Sequence, residues 1–250
     1  MSEEDTKPAE QQRRRRRRWL IVAALAAVAA AVATIFLAAG TFQVDRIHFS
    51  GLHRVSYDEA YEAADIRPGD FMGTLDAGEA ERSLESLPWV ADARVQRRWP
   101  ATVDVDVIER TPAAIALAAP GSWVLIDIEG RVLTSPLAVV PELPRLSGIA
   151  AAPEPGAFLA SDADALLAAL GAAHGQPEFE IAALWRDRRG DIRARVRQQP
   201  GDLVLEVALG DESAIGAKTA AIAAIIGEMT ASDAILDVSV PHLPVLRPSG

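Results

Sequence analysis

Four histidines and a few closely spaced carboxylates are the residues of this 250-residue chain that could do chemistry. Catalysis needs such groups to converge. His48 and His53 stand five apart across a strand end and a turn, which does not put them on one helix face. His174 and His242 lie far along the chain. No HExxH is present, and without cysteine no thiolate can complete a metal site. Nor is there a GxSxG elbow, a Walker loop or a dinucleotide-type glycine pattern. The stretch VQRRWPATVDVDVIERTP, residues 95–112, brings Asp104, Asp106 and Glu109 together and invites an acid–base reading. Yet Val103, Val105 and Val107 alternate with the aspartates, so Asp104 and Asp106 are simply the wet side of a half-buried strand. DRRGD at 187–191 has an anion-binding composition, but a charged hairpin tip is the simpler reading. These residues predict no catalytic, cofactor or metal site.

The elements that would position such residues fall into two modules. Residues 42–111 read strand, helix, helix, strand, strand. Ile47 and Phe49 share a strand face that ends at Gly51. SYDE at 56–59 is a capping box opening a helix through Ala64, and RPGD at 67–70 is a turn. A second helix starts at DAGE, 76–79, sets Ala80, Leu84 and Leu87 on one face, and stops at Pro88. Two strands follow, with Ala91, Ala93 and Val95 inward in one and the three valines inward in the other. RRWPAT is the bend between them. From Pro112 prolines break the chain into short strands. WVLIDIEGRVLT is a hairpin turning at Glu129-Gly130, and two more strands flank DRRGD. DLVLEVALG buries positions 203, 205, 207 and 209. Helices are expected near 162–173 and 215–228. AAPEPG, 151–156, reads as an exposed loop, and AILDVSV, 234–240, as the last strand. Pro241, Pro244 and Pro248 argue against regular structure beyond it.

The amino terminus is of another kind. Arg13, Arg14, Arg15, Arg16, Arg17 and Arg18 precede 21 uncharged residues, Trp19–Ala39. As a helix this run spans about 30 Å, the thickness of a bilayer's hydrocarbon core. Trp19 stands where an interfacial aromatic belongs, and the arginines keep the amino terminus cytoplasmic, with everything after Gly40 outside. The rivals are a cleaved signal, with RRW followed by leucine like a twin-arginine signal and AVAT at 31–34 as a cleavage site, a basic nucleic-acid tail, and a buried core helix, which would not normally lack any polar face over six turns. Continuation of the apolar run through Ile35, Phe36 and Leu37 favours retention. The formal net charge is −10, while residues 1–18 carry +3, leaving −13 on the body. An acidic body argues against nucleic acid as its ligand.

The order of these parts carries a resemblance. The residues are Val44, Ile47, Gly51, Gly69, Leu87, Pro88, Val90, Val95, Arg97, Arg98, Trp99, Pro100, Glu109, Arg110 and Pro112. In the second module they are Asp127, Gly130, Leu143, Pro144, Leu146 and Gly148, then VALG before Lys218 and ILDVSVPHLPVLRP. Together, behind one span, they resemble the FtsQ/DivIB family of bacterial cell-division proteins. The resemblance implies an α+β ectodomain, a POTRA domain at 42–111 followed by a β-rich domain at 112–243, behind a single transmembrane helix at 19–39. A basic cytoplasmic tail at 1–18 and a tail at 244–250 complete the division. It implies no enzyme and no cofactor. It implies instead a divisome scaffold in the plasma membrane, concentrated at the septum and linking FtsL-type and FtsB/DivIC-type partners to the septal peptidoglycan synthase and its FtsW-type partner. Partner contact is implied near the carboxyl-terminal strand, at Ile235, Leu236, Asp237, Val238, Ser239, Val240 and His242. An edge strand there would offer unpaired N–H and C=O groups to another strand. No aromatic residue follows Asp237, where proteobacterial members place them. Alternatives are an anchored or secreted cell-envelope enzyme, and a POTRA adaptor for secretion, although no series of barrel strands follows.

Overall fold

A computed structural model describes the backbone of residues 7–38, 42–119, 121–201, 203–229 and 234–248, and the side chains within them from Arg16 onward other than those of Ala38, Ala234 and Pro248. The expected end of the span at Ala39, Gly40 and the side chains of Arg13, Arg14 and Arg15 lie outside the described residues. Helix α1, Lys7–Ala38, takes the arginine run into the same helix as the apolar segment, where a separate tail was expected. The charged residues are good helix formers, and nothing breaks the helix between them and Trp19. Its stretch Arg16–Leu37 is long and apolar enough to cross a membrane.

The chain separates into two compact units, Met1–Leu84 with Asp92–Val107, and Glu85–Ala91 with Ile108–Gly250. The first unit contains β1 (Arg46–Ser50), α2 (Tyr57–Ala64), most of α3 (Ala77–Ser86), most of β2 (Val90–Arg98) and most of β3 (Thr102–Glu109). The strands lie in the order β1-β3-β2, with β1 parallel to β3 and Ile47 opposite Val103. Ser56 caps α2 by accepting the Glu59 N–H at 3.2 Å, and Asp76 caps α3 by accepting that of Glu79 at 3.0 Å. Val103, Val105 and Val107 are buried, as their alternation predicts. The first of the paired strands departs from its expected face: Ala91 is exposed, and Val90, Ala93 and Val95 are buried. Two successive outward residues break the period of two there. Leu87 lies just past the helix and is half-buried. Gly51 ends β1 at φ +79°, where a Cβ would sit 1.9 Å from the Val107 carbonyl oxygen.

The second unit holds one eight-stranded sheet. In chain order come β4 (Ala114–Ala119), β5 (Ser122–Ile126), β6 (Arg145–Ser147), α4 (Asp164–Ala173, after a short 3₁₀ turn at Ser161–Ala163), β7 (Phe179–Arg186), β8 (Ile192–Gln198) and β9 (Val204–Gly210). Then follow α5 (Ile215–Ile226), β10 (Ala234–Asp237) and β11 (Val245–Pro248). Their spatial order is β11-β10-β9-β8-β7-β6-β4-β5. Leu166 and Leu170 of α4 and Ile222 and Ile226 of α5 pack with Leu184, Val196, Leu205, Val207 and Leu236 in one core. Each such side chain contributes about 1.5–3 kcal/mol by leaving water.

AAPEPG is a loop with Ala151, Pro153 and Glu154 exposed, as expected, but it is tied down: Ala152 is buried and its N–H donates to the Leu117 carbonyl at 2.9 Å, while that of Gly156 donates to Val132 at 2.8 Å. One expectation fails here: AILDVSV is not the last strand. β11 pairs antiparallel with β10, Asp237 opposite Val245 and Ile235 opposite Arg247, so regular structure continues into what was expected to be a tail. Pro244 precedes β11 and Pro248 ends it, leaving Val245, Leu246 and Arg247 with their N–H groups. Proline is tolerated at strand ends and on sheet edges, where a missing donor breaks no ladder.

Candidate functional site

The chemical residues do not converge. His48 is exposed on β1, His53 Nδ1 lies 2.9 Å from the Gly51 carbonyl, and His174 and His242 are exposed elsewhere. Among the described residues no group of three or more His, Asp or Glu is placed to hold a metal ion. Asp104 accepts a 2.8 Å hydrogen bond from Arg98 Nε, and Asp106 accepts the Ser50 hydroxyl. Asp187 of the DRRGD tip turns onto its own loop. The Arg189 N–H, followed by the Arg193 guanidinium and the Asp191 N–H, holds its carboxyl below the usual carboxylate range.

The signature residues divide into two structural clusters. In the first unit, Arg97 donates to the Met72 and Leu75 carbonyls, Arg98 pairs with Asp104, and Trp99 meets Phe42 edge-to-face at 5.6 Å. Within the second unit, Arg110 bonds the Val90 carbonyl at 3.0 Å, Asp127 at 2.6 Å and Glu129 at 2.8 Å. Burial opposes its charge, but the bonds from Glu129 and Asp127 prevail and raise its pKa. Asp127 is itself buried and also accepts the N–H groups of Glu129 and Arg131. Arg131 donates to the carbonyls of Glu85, Ser86 and Leu87, and desolvation lowers its pKa. Glu109 and Pro112 flank this cluster, half-buried. These are groups that hold backbone together, with none left poised for proton transfer.

What the second unit does offer is an asymmetric pair of sheet edges. At the β5 edge the segment after the hairpin closes the ladder. The Leu133 N–H reaches the Leu125 carbonyl at 2.8 Å, the Leu137 N–H reaches Trp123 at 2.8 Å, and Thr134 Oγ1 accepts the Leu125 N–H. At the other end β11 is outermost. Among the described residues its outer side meets no backbone partner. Val245 and Leu246 are 44% and 54% exposed, and Val240 and Leu243 beside them 43% and 66%. Four apolar side chains are thus exposed on the outermost strand and on the turn that leads into it.

The expected contact residues sit behind this edge. β10 is paired on both sides, parallel to β9 and antiparallel to β11. Leu236 and Val238 are core residues. Asp237 accepts the N–H and hydroxyl of Ser239 and pairs with Arg247 at 2.7 Å; these bonds overcome burial and lower its pKa. Ile235 is half-buried, while Ser239, Val240 and His242 reach the surface. Reading the strand boundary at the prolines missed Val245, Leu246 and Arg247. The signal was present in a V-L-R triplet framed by Pro244 and Pro248. Lys218 was also passed over as a structural residue: it is fully buried and donates to the Asp211 carboxylate at 2.7 Å and carbonyl at 2.9 Å.

A strand–helix–helix–strand–strand unit with the order β1-β3-β2, behind an apolar helix and before a sheet of eight strands, defines a class. Residues 42–110 match the family model of the POTRA domain, FtsQ-type. Curated relatives bear a common name, cell division protein FtsQ. The chain is similar to that of Novosphingobium aromaticivorans, 38% identical over 103 residues, 41% of this chain and 32% of that protein. To that of Myxococcus fulvus it is 36% identical over 95 residues, 38% of this chain and 33% of that protein. To that of Corynebacterium glutamicum it is 35% identical over 89 residues, 36% of this chain and 40% of that protein. The matched region thus spans about a third of the length of these relatives.

Proposed function

We propose that the chain is a non-catalytic, membrane-anchored scaffold of the bacterial division machinery at the septum. The observation that carries this reading is an FtsQ-type POTRA domain at 42–110 directly behind a helix able to cross a membrane. Arg16–Arg18 at the amino-terminal end of the apolar stretch favour a cytoplasmic amino terminus. Both units then stand outside. The partners are of the FtsL and FtsB/DivIC type, and through them the septal peptidoglycan synthase and its FtsW-type partner. The open β11 edge supports docking by strand addition, in which main-chain bonds give affinity and side-chain pockets give specificity. The partner strand then lies along Val245–Arg247 rather than against β10, with Val240 and His242 at its margin.

Depletion in the source bacterium tests the role. Cells lose septation and filament or branch, and the wild-type chain restores division. A Val245→Lys, Leu246→Lys chain inserts and folds but does not restore it, because lysines on an edge strand disfavour pairing. Normal septation after depletion, with no second copy of the gene, overturns the proposal.

A further inference from the structure

We propose that the end of the POTRA domain formed by Phe42, Phe71 and Trp99 sits in the headgroup layer of the bilayer that α1 crosses. This rests on the anchor reading above. The apolar stretch of α1 closes at Leu37 and the helix at Ala38. Four residue steps separate Ala38 from Phe42, and at no more than ~3.6 Å each they reach at most ~14 Å. The headgroup layer occupies roughly 5–8 Å beyond the hydrocarbon on each side. Chain length alone therefore holds Phe42 within or just above that layer, whatever path residues 39–41 take.

Phe42 carries two exposed aromatics with it. Its carbonyl accepts the Met72 N–H at 2.9 Å, Gln43 bridges to Phe71, and the Asp45 N–H reaches the Ala101 carbonyl at 2.8 Å. The loop through Phe71 and the corner through Trp99 thus both lie where the chain enters the domain. Trp99 is 56% exposed although it touches Phe42, and Phe71 is 42% exposed. Exposed aromatics are costly in water and favoured at a membrane interface, where an apolar ring and a polar N–H are both satisfied. Charge does not explain the patch. Arg98 is paired with Asp104 and Arg67 with Asp65, Arg46 stands 3.9 Å from Asp45, and Arg97 is turned onto the Met72 and Leu75 carbonyls, so these cations are engaged within the chain. The occupant is the interface itself, bound through its aromatic preference and not through anionic lipid.

The test uses the full chain in phosphatidylcholine vesicles whose acyl chains carry bromine, a short-range quencher of tryptophan. Bromination quenches part of the fluorescence. Trp19→Phe and Trp99→Phe each remove a share of the quenched component, and circular dichroism confirms that both chains fold. Raising salt from about 0.1 M to about 1 M, which shortens the screening length from about 10 Å to about 3 Å, leaves the Trp99 share unchanged. Because the chain has no cysteine, a nitroxide at Ala101→Cys gives an independent reading. It is more accessible to oxygen than to a nickel chelate, and a nitroxide at Asp58→Cys is the reverse. Quenching lost with Trp19→Phe but untouched by Trp99→Phe overturns the inference while leaving the anchor intact, and frees the patch for a protein partner. A Trp99 share that needs anionic lipid and disappears in salt overturns it in favour of a charge contact. Absence of quenching at Trp19 overturns the anchor, and the inference falls with it.

Discussion

Asp127 shows how a carboxylate in a promising position can be wholly structural. Its two oxygens take a guanidinium and two backbone N–H groups, and its side chain is 5% exposed. Replacing it by alanine leaves two amides without their acceptor and Arg110 with only Glu129 and the Val90 carbonyl, and is expected to cost about 2–4 kcal/mol. Glu129 binds the same arginine but is 64% exposed. Its replacement by alanine should cost no more than about 1 kcal/mol. Denaturant unfolding of the two variants in micelles checks the contrast. The Lys218–Asp211 pair makes a pH prediction. The Lys218 ammonium, then the Ser213 hydroxyl and N–H, hold the Asp211 carboxyl down to about 2. A depressed folded pKa means that this contribution to stability is complete above the ordinary carboxylate range near 4 and is lost as pH falls toward 2. A carboxyl titration by NMR should give a midpoint near 2, returning toward the ordinary value in Lys218→Met. A midpoint unmoved by that change would show that the lysine is not the cause.

Elements differ in how far their residues announced them. Ser56 and Asp76 each stand three residues before a glutamate whose N–H they accept, so both helices of the first unit were legible. The valine alternation of β3 was equally plain. β2 was not, because two outward residues in succession shift its phase, and β11 was not, because two prolines mask three good strand residues. Nothing local announces that Lys218 is fully buried, or that Arg131 reaches the carbonyls of Glu85–Leu87, more than forty residues back in the chain. The glycines make a prediction at this scale. Gly51 and Gly69 both have positive φ, +79° and +101°, but only at Gly51 does a Cβ meet backbone. Gly69→Ala should therefore cost roughly 1–3 kcal/mol of backbone strain, and Gly51→Ala more, with loss of the β1–β3 pairing. Comparable unfolding midpoints for the two would contradict that account.

For the whole molecule, the contrast between the two sheet edges is the feature that ties fold to function. Open edges invite unwanted pairing, and natural sheets usually blunt them. Here the β5 edge is closed by its own chain, whereas β11 presents Val245 and Leu246 to solvent. Among the described residues no catalytic set converges, and the open β11 edge is the feature on which the proposed scaffold role rests. The most direct measurement places a photoreactive residue at Leu246 and, separately, at Val139, which is 83% exposed on the segment beside the closed edge. Both chains are irradiated in dividing cells, and the captured proteins are identified. If the β11 edge is the docking site, Leu246 captures small single-pass division proteins of the FtsB/DivIC type and Val139 does not. Capture of the same proteins from both positions, or none from Leu246 in cells whose division depends on that chain, would contradict it.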